Sequence, residues 1–119
     1  MYVTRMQLYS LSDREARRHK RIDHPNVDVY FENKAWRPLN WSVGGLLIRP
    51  YEGSLEPDHV VRGLIVGTTY QGQEKVPFTA RVVRRIDRRK ELALQFAPAD
   101  DQLRRFFDRY IQSLGRQVR

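Results

Sequence analysis

The sequence predicts a mainly β fold, in which a six-stranded antiparallel β-barrel is followed by one C-terminal amphipathic α-helix. Three observations predict it: short β-branched or aromatic segments recur at roughly even spacing, turn residues follow them, and only the last segment has helical periodicity. No helical pattern separates any two strands, so we expect antiparallel pairing rather than βαβ units. A length of 119 residues fits one domain with one ordinary core.

The first predicted strand covers residues 27–31, where Val27, Val29 and Phe31 alternate with side chains suited to the outer face. A turn is expected around Glu32 to Lys34. The remaining strands are predicted over residues 35–39, 45–50, 60–70, 77–85 and 91–97. Connections rich in Gly, Pro, Asp or Gln lie between most of these strands, which places the barrel within residues 25–97.

The last segment, residues 99–115, is predicted to be a helix because its apolar side chains recur at helical spacing. These side chains are Leu103, Phe106, Phe107, Tyr110, Ile111 and Leu114. Pro98, Asp100 and Asp101 are typical of a helix N-terminus, and Gly115 is typical of a C-terminus. We expect the apolar stripe to pack on the barrel rather than to bind a partner.

The charge of the chain indicates an anionic partner. Lys and Arg number 22 against 14 Asp and Glu, which gives a net charge of +8 at pH 7. Arginine dominates the basic residues, and its planar fork suits phosphates and guanine edges, although a GC-rich genome would produce the same bias. Nucleic acid, a nucleotide and an anionic lipid are all compatible with this charge.

Conventional catalysis finds little support in the sequence. The chain has no Cys, and His19, His24 and His59 do not have metal-ligand spacing. No Walker-type loop or GxGxxG motif is present. We therefore expect a protein that is not an enzyme and has no metal or cofactor.

No apolar run approaches the ~20 residues of a membrane helix, and the expected location is the cytoplasm.

Two segments carry unusual patterns. Residues 14–21 contain five cations and no apolar residue beyond Ala16, so we expect residues 14–24 to form a loop that is mobile without ligand, preceded by a tail or short strand over residues 1–13. The second segment runs from Asn40 to Gly45 in the predicted turn between the second and third strands. Alone, the first is typical of a solvated face and the second of a turn that hydrogen-bonds its own backbone.

Together these segments carry a family resemblance. Arg17 and Arg21 form RxxxR, and Asn40, Ser42 and Gly45 form [D/N]xSxxG. This pair, in this order and separation, resembles the PilZ domain, a family of cyclic di-GMP receptors. The resemblance covers about residues 14–115, including the closing strands and the helix. It implies a PilZ-like domain over residues 14–119 whose residues 14–24 clamp the ligand.

The resemblance also implies roles for these residues in binding cyclic di-GMP. Arg17 and Arg21 are expected to contact phosphate and a guanine edge, with Arg18 assisting. Asn40 and Ser42 are expected to read the other edge of a guanine. Further candidates are Arg14, His19 and Gly44, and Arg14 with Arg18 forms a second RxxxR.

Two features of the second motif leave questions open. Gly45 permits either a close backbone approach or a positive φ. Asn40 offers one carbonyl oxygen where an aspartate would offer two carboxylate oxygens.

The expected function is that of a receptor whose arginine-rich loop orders on ligand binding and signals to a downstream effector protein. One alternative is a non-specific nucleic-acid-binding barrel, although its exposed aromatic side chains are not evidently interleaved with the basic cluster it would use. That cluster consists of Arg81, Arg84, Arg85, Arg88 and Arg89. Another alternative is a PilZ-like protein-interaction module without ligand, against which the intact motifs argue.

Overall fold

A computed structural model describes residues 21–97 and 100–118, with side chains described as far as Gly115. This part of the chain contains eight strands, a short 3₁₀ turn at Asp87–Arg89 and one long helix. The strands are β1 (Arg21–Asp23), β2 (Val27–Phe31), β3 (Lys34–Trp36), β4 (Pro38–Ser42), β5 (Gly45–Ile48), β6 (Val60–Thr69), β7 (Gly72–Ile86) and β8 (Glu91–Phe96), and the helix is α1 (Asp101–Val118).

All eight strands belong to one curled antiparallel sheet with the order β1-β4-β5-β8-β7-β6-β2-β3. The sheet forms a half-barrel, and the helix follows it in the chain. The predicted fold class is therefore confirmed, with eight strands rather than six.

One predicted strand is two strands in the structure. Residues 35–39 divide at Arg37: Trp36 lies opposite Val29 of β2, whereas Pro38 lies opposite Ile48 of β5. The chain thus leaves the sheet at β3, one of its edge strands, and re-enters it near the opposite edge at β4, between β1 and β5. Periodicity along the chain did not reveal this break because each half is extended, and only the pairing partner changes.

The other additional strand is β1, which occupies Arg21–Asp23 in the segment predicted to be a loop. Its residues pair with β4, so the predicted loop 14–24 is wrong for these three positions. The connection expected between the strands predicted over residues 60–70 and 77–85 is also wrong, because β7 already begins at Gly72, opposite Thr69. Gly72 has a φ of 99°, a conformation that glycine adopts without steric cost, and this allows a turn of only two residues.

The helix confirms the predicted amphipathic stripe. Leu103, Phe106, Phe107 and Tyr110 are buried in the same core cluster as the inward side chains of the sheet. At the N-terminus, the Asp100 carboxylate accepts a hydrogen bond of 3.0 Å from the Leu103 amide, as an N-cap does. The helix extends to Val118 and passes through Gly115, its predicted end, because a glycine within a helix costs only about 1 kcal/mol relative to alanine.

Candidate functional site

The structure brings the two motif segments together. Strand β1 runs antiparallel to β4, with Arg21 opposite Ser42 and Asp23 opposite Asn40. Directly opposed residues project from the same face of a sheet, with Cβ atoms about 5 Å apart. These four residues therefore form one polar group, which we call the motif patch.

Residues between those of the patch project to the opposite face, because strand side chains alternate. Trp41 lies between Asn40 and Ser42 and is completely buried. Its ring lies 5.4 Å from Phe106, 4.8 Å from Phe107 and 5.3 Å from Tyr110, measured between centroids. This burial fixes which way the strand faces, and so directs Asn40 and Ser42 away from the core.

The polar groups of the motif patch are open to a ligand. Arg21 and Asp23 are exposed, whereas Asn40 and Ser42 are half-buried. Within the described residues, the side chains of Arg21, Asp23 and Asn40 have no hydrogen-bond or ion-pair partner. The Ser42 hydroxyl oxygen accepts a 3.2 Å hydrogen bond from the Gly44 amide, which leaves its own O–H available as a donor.

The predicted position of the second motif needs one correction. Asn40 and Ser42 were expected in a turn, but both belong to β4, and the turn consists only of Val43 and Gly44. Ser42 lies opposite Gly45, the first residue of β5. The carbonyl of Gly44 accepts a 2.9 Å hydrogen bond from the Phe96 amide, so the turn is fastened to the end of β8.

Gly45 is required for a close approach of two strands. A Cβ atom at this position would overlap the backbone carbonyl oxygen of Leu94 on β8. Its φ is not in the positive region, so of the two roles left open by the sequence the close approach is the one observed. By contrast, a Cβ at Gly44 would lie 3.9 Å from its nearest neighbour, the Ser42 hydroxyl oxygen.

The row of residues that contains Ser42 and Gly45 continues across the sheet. Gly45 lies opposite Gln95 of β8, and Gln95 lies opposite Arg81 of β7. The Arg81 guanidinium donates a 3.2 Å hydrogen bond to the Gln95 side-chain oxygen. Beside the turn, a groove of about 290 Å³ is lined by Val43, Gln95 and the start of α1, among others. Polar groups therefore extend beyond the motif patch.

Sequence reasoning missed Asp23 and Gln95 as neighbours of the site. The polar–apolar–polar order of Arg21, Ile22 and Asp23 is a strand signal that could have revealed Asp23. Gln95 had no such signal, because its position beside Gly45 depends on the register between β5 and β8.

Four predicted site residues, Arg14, Arg17, Arg18 and His19, lie outside the described residues. The other predicted residues, Arg21, Asn40, Ser42, Gly44 and Gly45, are all described and lie within or beside one hairpin and its neighbouring strand.

The basic cluster of the nucleic-acid alternative is partly engaged within the protein. Arg85 is half-buried and donates hydrogen bonds to the Asp87 carboxylate at 2.7 Å and to the Leu55 carbonyl at 2.8 Å. Arg81 contacts Gln95 and lies 3.7 Å from the carboxylate of Asp58. Arg85 therefore holds the segment after β5 in place instead of offering a free cation.

Metal chemistry has no visible support in the part of the chain that the structure describes. There, no group of three or more His, Cys, Asp or Glu side chains is arranged to hold a metal ion. Within the same residues, no helix has the length and apolar character needed to cross a lipid bilayer.

Comparison with protein families identifies the family of this domain. The family model described as PilZ domain matches residues 15–113, a span that includes all eight strands and most of the helix. No curated protein matches the chain.

Proposed function

The chain belongs to the PilZ domain family, whose members are cyclic di-GMP receptors and adaptors rather than enzymes, and we propose that it is itself a cyclic di-GMP receptor. The observation that carries the proposal is the register of β1 against β4. It sets Arg21 opposite Ser42 and diagonal to Asn40, so that residues of both family motifs lie on one face.

The chemistry of the motif patch suits this ligand. Cyclic di-GMP carries two phosphodiester charges and two guanines, and each guanine presents acceptors at O6 and N7. The Arg21 guanidinium matches both a phosphate and a guanine acceptor edge with paired N–H donors. Ser42 supplies a hydroxyl donor and Asn40 an amide that both donates and accepts.

Signalling in this proposal uses the segment before β1. Arg14, Arg17 and Arg18 add positive charge shortly before Arg21 in the sequence, and together with His19 they close over the phosphates when the ligand binds. The ligand drives this change by binding the closed arrangement more tightly than the open one. The closed segment then presents a new surface to a downstream effector protein in the bacterial cytoplasm, where this second messenger is made.

Calorimetric titration of the full chain with cyclic di-GMP tests the proposal, with GTP and a short single-stranded oligonucleotide as control ligands. We expect saturable binding of cyclic di-GMP and no binding of either control ligand. Binding of the oligonucleotide without binding of cyclic di-GMP would favour the nucleic-acid alternative. Binding of none of the three would favour a protein-interaction module without ligand.

A further inference from the structure

Asn40 by itself is a poor match for the donor edge of guanine. Guanine presents two neighbouring donors, N1–H and the 2-amino group, and a carboxylate with two oxygens accepts from both. The Asn40 side chain has one oxygen and an NH₂ group, so one guanine donor is left facing another donor. A second acceptor close to Asn40 would complete the recognition of this edge.

Asp23 stands where that acceptor is needed. It lies directly opposite Asn40 in the β1–β4 ladder, which puts the two Cβ atoms about 5 Å apart on the same face. Its carboxylate is exposed and has no hydrogen-bond or ion-pair partner among the described residues. A carboxylate is an acceptor only, so it suits two N–H groups and nothing else on the base.

The backbone holds Asp23 in this position from both sides. On one side Ile22 lies opposite Trp41, the buried anchor of β4. On the other side the His24 amide donates a 2.7 Å hydrogen bond to the carbonyl of Leu39. The juxtaposition of Asp23 and Asn40 is therefore part of the sheet and does not depend on a loop.

We propose that Asp23 is a specificity-determining residue of the ligand site, and that its carboxylate supplies the second acceptor for the donor edge of a guanine bound at Asn40. This inference rests on the proposed function. Arg21 lies two residues away on the same strand and face, and its positive charge offsets that of the carboxylate near the phosphates.

The role of Asp23 can be tested by removing its charge, because a hydrogen-bonding role and a purely electrostatic role predict opposite effects on binding. The ligand carries two negative charges, so removing the charge of Asp23 would strengthen binding if the carboxylate acted only through its field. If it accepts guanine hydrogen bonds, removing it weakens binding despite the better charge balance. The sign of the change thus separates the two roles.

The test is calorimetric titration of the full chain with cyclic di-GMP, using wild type, Asp23→Asn, Asn40→Asp and the double exchange Asp23→Asn/Asn40→Asp. We expect Asp23→Asn to weaken binding about tenfold or more, and the double exchange to restore it to within roughly threefold of wild type. Asp108→Asn removes the same charge from an exposed position on α1 and is the matched control, for which we expect no loss.

A second ligand tests the contact itself. The cyclic dinucleotide of inosine lacks the 2-amino groups of guanine, so wild type should bind it more weakly than cyclic di-GMP. In Asp23→Asn the difference in affinity between the two ligands should be smaller, because this variant has already lost the acceptor for the amino group.

The outcomes separate this inference from the proposed function. Unchanged or tighter binding in Asp23→Asn, or no recovery in the double exchange, would overturn the role of Asp23 while leaving the receptor function intact. Failure of wild type to bind cyclic di-GMP would overturn both.

Discussion

Trp41 and Phe107 pack edge to face, with ring centroids 4.8 Å apart and ring planes at 81°. This contact joins the strand that carries Asn40 and Ser42 to the C-terminal helix. The polar surface of the motif patch and the aromatic core beneath it are therefore two sides of one strand, and the position of the patch depends on the packing of α1.

Truncation of the motif patch should remove ligand binding without unfolding the protein. We expect Arg21→Ala and Ser42→Ala each to weaken cyclic di-GMP binding by at least tenfold, because each removes hydrogen bonds to a charged ligand worth about 1.5–3 kcal/mol. Arg17→Ala is predicted from the RxxxR motif to act likewise. Calorimetry measures the affinity. Urea unfolding of Arg21→Ala and Ser42→Ala should show changes within about 0.5 kcal/mol, since the Arg21 and Ser42 side chains lie outside the core.

Arg105→Ala is the control for the loss of a positive charge, because Arg105 is exposed on α1. It should bind the ligand like wild type. Normal affinity in both Arg21→Ala and Arg17→Ala would contradict the motif assignment.

The two glycines of the hairpin should respond differently to alanine. Gly45→Ala forces a Cβ atom against the Leu94 carbonyl, so we expect a loss of about 1–3 kcal/mol in the free energy of unfolding. In Gly44→Ala the new Cβ makes only an ordinary van der Waals contact with the Ser42 hydroxyl, so the variant should be almost neutral. Thermal and urea unfolding of both variants measure this, and equal stability of the two would show that β5 and β8 do not approach as closely as described.

Loss of Phe107 should disturb the anchor beneath the site. Phe107→Ala leaves a cavity against the Trp41 ring, and we expect a loss of about 3–5 kcal/mol in unfolding free energy. The chain has two tryptophans, so a Trp36→Phe background makes Trp41 the only tryptophan, and its emission is excited selectively over that of the tyrosines. Its fluorescence should shift to longer wavelength in Phe107→Ala; an unshifted emission would argue against this contact.

The ion pair between Glu74 and Arg109 should make the free energy of unfolding depend on pH in the acidic range. Arg109 donates two hydrogen bonds to the Glu74 carboxylate, at 2.6 and 2.9 Å, and the hydrogen bonding lowers the pKa of Glu74 below its ordinary value of 4.5. The pKa of Glu74 is lower in the folded protein than in the unfolded chain. The ion pair therefore stabilises the fold fully at pH values well above the ordinary pKa, and this stabilisation is lost as the pH falls through the pKa of the folded state.

The variant Glu74→Gln tests this dependence. It should be less stable than wild type at neutral pH by about 1–3 kcal/mol, because Arg109 loses its counterion, and its stability should fall less steeply in acid. Urea unfolding between roughly pH 3 and pH 7 measures both effects. Glu52→Gln, which removes an exposed carboxylate paired with Lys90, should follow the wild-type curve closely.

Local patterns in the sequence were sufficient for much of the fold. Alternation over Val27–Phe31 and the helical stripe from Leu103 to Leu114 identified both elements and their buried faces. This works because burial of one face imposes a period of 2.0 on a strand and 3.6 on a helix, and both periods are visible within a few residues. The motif residues were likewise found by their spacing along the chain.

The tertiary structure alone decided which residues meet. The division of residues 35–39 between β3 and β4, the pairing of Arg21–Asp23 with β4 and the close approach of Gly45 to Leu94 are all set by partners distant in the sequence. Strand pairing is a non-local choice, in which hydrogen-bond register and the burial of Trp41 against α1 select one arrangement among many with the same local pattern. The sequence by itself therefore determined the element types and the motif residues, whereas only the folded sheet brought Asp23 opposite Asn40, since a period along one strand contains no information about its neighbour.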